Sequence, residues 1–276
     1  MTEMTMARLQ ELMVVLYAVS LVFYFVDYLN RDKVAHRSAF WVLVVVYVMQ
    51  TGFLIDYMIE TKRFPVLSLF EGIYFYAWLI ITLSIILHLF YKVGYAVFFL
   101  NAIGFVLITI HTFAPLQNEQ SQVGEALISE LLFIHITFAI LSYTAFAMSF
   151  VSGVLYLLVY NILKKKKWSK QFSRLPSLQQ TTTSMKASLL TGFPFLLISL
   201  ILGVQWATVA LDNWSFFDMK ILGSFLILAV YGSVLFMQRS GKLIGNDFAW
   251  ANIFTFLIVI INLFLGSRLS AFHFWI

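Results

Sequence analysis

The chain has 276 residues, of which 61% are hydrophobic, 18% aromatic and only 11% charged, with a formal net charge of +5. Soluble domains carry about 25% charged residues, so this composition excludes a water-soluble globule and leaves almost nothing for a separate soluble domain. There is no cysteine, which excludes disulfides, thiolate metal sites and groups attached through thioethers.

Apolar runs lie at 10–30, 39–59, 66–90, 94–113, 129–163, 187–209, 219–238 and 247–272. Each is long enough to cross a hydrocarbon core of about 30 Å as a helix, which satisfies its own backbone polar groups. No segment alternates polar and apolar residues for long enough to suggest a β-barrel. The reading is an all-α, polytopic membrane bundle of eight transmembrane helices forming one integral domain over 1–276. The first run lacks a small-residue cleavage site, so no cleavable signal is expected.

Charge placement sets the expected orientation. With the basic segment 164–186 taken as cytoplasmic, alternating spans put thirteen of the 18 basic residues on that side. That asymmetry is what orientation in a membrane requires, and it removes the net charge as an argument for nucleic acid. Both termini are then expected outside. The same segment, with Trp168, Phe172 and Leu175 among its lysines, reads either as a docking surface for a cytoplasmic protein or as an anchor on anionic lipid.

Ionisable groups near or within spans are the informative exceptions in so apolar a chain. His111 ends the fourth run and His135 lies about two turns into the fifth, so the two are expected at similar depth near the outer face. His273 is expected at the same face, His88 toward the cytoplasmic end of the third run, and His36 in a solvated cytoplasmic loop. A neutral imidazole either ligates a metal such as haem iron or hydrogen-bonds across helices. Lys220 and Arg268 stand at outer helix ends on the side depleted of cations, where they either meet a carboxylate-bearing ligand or snorkel toward headgroups. Trp206 and Trp214 bracket Asp212 and precede Phe217 and Asp218, as an interfacial shelf would.

These residues carry a family resemblance. GVQWATVALDNWSFFDMK, Gly203–Lys220, resembles the tryptophan-rich haem-handling loop of the cytochrome c assembly family, the group of CcsA, ResC and CcmC. FPVLSLFEGIYFYAW, Phe64–Trp78, is similar to the signature that enters an early span of CcsA-type proteins. In Phe133–Leu158, His135 stands in the slot of the family's Met-His-Val sequence. The resemblance covers most of 60–275, in order, and within the family it points to small eight-span members found beside tetrapyrrole synthesis in Gram-positive bacteria. It implies a bacterial cytoplasmic membrane protein that binds or senses haem, as haem b, and is linked to control of glutamyl-tRNA reductase, reached through the 164–186 loop. It further implies that His135 and His111 are axial ligands, with His273, Trp206, Trp214, Phe217, Asp218, Lys220 and Arg268 around the group.

Departures from the family pattern narrow the reading. Phe217 takes the place of the loop's last Trp, Met219 replaces its Pro, and the transmembrane His of synthase-type members is absent from Phe236–Arg239. Binding or sensing is therefore expected rather than synthase chemistry, and the absence of a phosphate loop or a nucleophile–base spacing leaves no support for an enzyme. The alternatives are a component that hands haem to an apocytochrome outside the membrane and a haem transporter. The spans lack the matched Gly/Pro-broken helices of a midplane transport site.

Overall fold

The computed structural model describes residues 3–30, 32–65, 68–91, 94–113, 130–166, 175–210, 215–266 and 269. Eight helices carry the apolar runs: α1 (Glu3–Asn30), α2 (Lys33–Thr61), α3 (Leu69–Tyr91), α4 (Gly94–Phe113), α5 (Glu130–Lys164), α6 (Leu178–Ala210), α7 (Met219–Arg239) and α8 (Gly245–Ile261). All eight are long and apolar enough to span a membrane, α8 with the π-helical turn Asn262–Gly266 that continues it. No strand occurs among the described residues.

The helices gather into two compact units, α1–α4 and α5–α8. In the first, α1 packs along α2 and α4, and polar side chains pin the helices within the apolar interior. Tyr17 on α1 donates to Asn101 Oδ1 on α4 at 2.9 Å, and Asn101 Nδ2 donates to Ser84 on α3 at 2.5 Å. Gly104 makes room for this contact: a Cβ there would stand 2.5 Å from the Tyr17 hydroxyl. Ser20 of α1 donates to the Ala39 carbonyl of α2 at 2.9 Å. In hydrocarbon such groups have no water to turn to, so each pairing fixes the helix register.

The second unit is built around α5, which packs on α6 and α8, with α7 against both α6 and α8. Ser149 on α5 donates to Asn252 Oδ1 on α8 at 2.6 Å, and Asn252 Nδ2 donates to the Phe248 carbonyl at 2.7 Å, so the buried amide is satisfied at both ends. Phe146 of α5 stacks on Tyr231 of α7 with ring centroids 3.9 Å apart. After α7, Gly241 adopts φ +74°, and the Lys242 amide reaches the Met237 carbonyl at 2.9 Å, a glycine-dependent helix stop.

Three boundaries differ from the sequence reading, the first being the start of α1 at Glu3 rather than near 10. Helix α6 starts at Leu178 rather than near 187. Ser177 and Gln180 form a capping box, with Gln180 N to Ser177 Oγ at 3.1 Å and Ser177 N to Gln180 Oε1 at 2.8 Å. Lys186 therefore lies on a helix and not in the basic loop. Helix α2 begins at Lys33, with Asp32 capping it through the Val34 amide at 2.8 Å, which puts His36 on a helix rather than in the expected loop.

Candidate functional site

His135 sits in the second turn of α5, and its surroundings come from α6. Its Nδ1 lies 2.6 Å from the carbonyl oxygen of Ser199 and 3.1 Å from the Ser199 hydroxyl. The hydroxyl in turn donates to the His135 carbonyl at 2.9 Å. Each residue thus bonds the other's backbone across the helix pair. One turn further along α6, Gly203 faces the imidazole edge: a Cβ there would stand 2.5 Å from Cε1, 2.6 Å from Nδ1 and 3.1 Å from Nε2.

Lys220 belongs to the same unit. Lys220 lies in the first turn of α7, and its Nζ donates to the Asn262 carbonyl at 3.2 Å, at the start of the π-helical turn. Asn262 Nδ2 reaches Ser224 at 3.2 Å. Asn262 Oδ1 lies so close to Gly223 and Gly266 that a Cβ at either would overlap it. Asp218 caps α7 by accepting from the Lys220 amide at 2.9 Å, a placement that the helix dipole favours for an acid.

The aromatic part of the expected site divides. Trp206 is buried in a small cluster with Leu132 and Ala207, so its ring belongs to the contact between α5 and α6. Phe217 is 82% exposed. Trp214, Arg268 and His273 lie outside the described residues, as do Trp168 and Phe172 of the basic segment.

His111 belongs to the first unit. Its ring lies 4.8 Å from that of Tyr74 on α3, and its buried Nδ1 has no hydrogen-bond partner among the described residues. Tyr74 donates to the Gln50 carbonyl of α2 at 2.8 Å, while both side-chain polar atoms of Gln50 are buried without a partner among the described residues. Near this end of the unit, Arg63 grips Glu71 with two hydrogen bonds, 3.0 and 2.8 Å, and donates to the Tyr57 hydroxyl at 2.7 Å. Tyr57 also donates to Glu71. The hydrogen bond to Glu71 raises the Arg63 pKa above its ordinary value, outweighing partial burial. Glu71 is thus the anchor of the connection between α2 and α3.

Two features escaped sequence reasoning. His36, expected in solvent, pairs through Nδ1 with Asp27 at 2.9 Å and stacks on His88 at 5.1 Å; His88 stacks in turn on Phe40 at 4.2 Å. The Asp27–His36 spacing of nine residues across a helix–helix turn was the available signal. The other is the Ser199–Gly203 contact with His135, which links positions 64 and 68 residues apart and needs the register of two helices.

Among the described residues no three His, Asp or Glu side chains converge to hold a metal ion. Among its described residues the second unit offers instead one oriented imidazole, that of His135. That donor set suits a macrocycle-bound iron, which needs only axial ligands from protein, better than a bare ion needing three or four.

Residues 66–273 match the family described as Cytochrome C assembly protein, and the chain belongs to that family. The match begins just after α2. Over its whole length the chain is similar to two curated relatives named Protein HemX. It is 46% identical over 273 residues to that of Bacillus subtilis (strain 168), covering 99% of both chains. It is 38% identical over 265 residues to that of Brevibacillus brevis, covering 96% of this chain and 97% of the other. Similarity to the Cytochrome c biogenesis protein CcsA of Chlamydomonas reinhardtii is lower, 26% over 186 residues, or 62% of this chain and 50% of that one.

Proposed function

We propose that this protein binds haem in a bacterial cytoplasmic membrane and couples haem status to early tetrapyrrole synthesis at the level of glutamyl-tRNA reductase, without catalysing a reaction itself. The observation that carries the reading is His135: an imidazole bonded through one nitrogen to a carbonyl, in a family described as cytochrome c assembly. Whole-length similarity to proteins named HemX supports the tetrapyrrole link.

His135 would hold the iron through its free ring nitrogen, and His111, on α4 of the other unit, is a candidate ligand from sequence alone. Lys220 would face a propionate, with Arg268 and His273 assigned to the same rim from sequence. Trp206 would act behind the site by keeping α5 on α6, and exposed Phe217 would cover a ring face. Haem b, when bound, would supply an iron centre for these residues to hold, and occupancy of the site would follow haem supply. The basic segment 164–186 would face the cytoplasm and carry the signal to the reductase.

Absorption of detergent-purified protein with and without added hemin tests this reading. A Soret band that saturates with hemin and is lost in His135→Ala is expected; no band in the unsubstituted protein overturns it. The CcsA relatives favour one second reading, delivery of haem to an apocytochrome outside the membrane. Deletion should then abolish covalent haem in membrane c-type cytochromes, whereas the first reading predicts unchanged cytochromes and altered reductase abundance.

A further inference from the structure

We propose that Ser199 and Gly203 are positioning residues for His135: together they fix its tautomer so that Nδ1 carries the proton and Nε2 presents the lone pair. The tautomer follows from hydrogen-bond chemistry. A carbonyl oxygen only accepts, so at 2.6 Å from the Ser199 carbonyl the Nδ1 atom must be the donor. The Ser199 hydroxyl has already given its proton to the His135 carbonyl at 2.9 Å, so toward Nδ1, at 3.1 Å, it too accepts. Both neighbours of Nδ1 therefore select the same protonation, and a neutral ring then bears its lone pair on Nε2. A histidine held by one nitrogen on a carbonyl is pre-oriented to ligate through the other.

Gly203 is the second half of the arrangement. With any side chain there, the first atom would stand 2.5–2.6 Å from Cε1 and Nδ1, and the imidazole, as the far end of a rotatable side chain, would swing off the carbonyl. In the middle of a helix, alanine is intrinsically favoured over glycine by about 1 kcal/mol, so the glycine at 203 runs against local propensity.

What Nε2 ligates rests on the haem reading, but the tautomer does not. Nitrogen NMR of the haem-free protein, labelled with 15N-histidine and assigned by difference from His135→Ala, reads the tautomer directly. The expected result is a protonated Nδ1 and an unprotonated Nε2 in the unsubstituted protein. Ser199→Ala, which keeps the carbonyl, is expected to retain that pattern, and Gly203→Ala to lose it while remaining helical. A protonated Nε2 in the unsubstituted protein, or an unchanged signal in Gly203→Ala, overturns the proposal. Hemin titration of the same samples then separates the two claims. If the unsubstituted protein binds, Gly203→Ala should bind about tenfold more weakly. If it does not bind, the haem reading fails while the NMR result still decides the positioning role.

Discussion

At the scale of single residues, buried polar groups decide which side chains can be exchanged. Asn101 holds Tyr17 and Ser84 at once, so Asn101→Ala leaves two buried hydroxyls without these partners. A loss of about 1–3 kcal/mol is expected, read by denaturant titration of the detergent-solubilised protein. Arg63 is different in kind, because it closes a connection outside the spans. Arg63→Met removes both hydrogen bonds to half-buried Glu71, and Glu71→Gln in the Arg63→Met background should recover part of the lost thermal midpoint by removing the unpaired charge. The roles of His111 and His135 as polar exceptions were legible in the sequence, since an ionisable group in a membrane helix stands out. The acceptor of His135 was not, because a backbone carbonyl leaves no trace in residue identity.

At the scale of elements, the eight apolar runs gave their helices within a few residues wherever hydropathy changes abruptly. The start of α6 was missed because its first turns, Leu178 to Thr183, are polar and project the helix past the apolar run. Ser177 three residues before Gln180 was a readable capping signature all the same. Ser177→Ala should cost about 1 kcal/mol locally, seen as about fivefold faster amide exchange over 178–182 with the rest of α6 unaffected. His36 was misplaced for a related reason: Lys33, His36 and Arg37 read as a charged loop, whereas they form the first turns of a helix capped by Asp32.

At the scale of the whole molecule, the family match starts at residue 66, so α1 and α2 lie ahead of the part shared with cytochrome c assembly proteins. Yet α1 and α2 supply Tyr17 and Gln50 to contacts with α4 and α3, and they belong to the same compact unit. Orientation is a property of the full chain and rests on the charge asymmetry alone. With no native cysteine, single-cysteine variants read it without further engineering. Lys165→Cys should react with a membrane-impermeant maleimide only in inverted vesicles, and Ser215→Cys only in intact cells. The reverse pattern would place the basic segment outside and remove its proposed contact with a cytoplasmic enzyme.

The reciprocal attachment of His135 and Ser199 has a consequence for how variants of this protein will look. Because the nearer acceptor of the ring N–H is the peptide carbonyl, which every residue at 199 keeps, saturation mutagenesis there can return near-silent phenotypes at a position that matters. The dependence should surface instead through single-residue insertions or deletions in α6 between 196 and 203, which rotate the acceptor away, and through β-carbon scanning at 203.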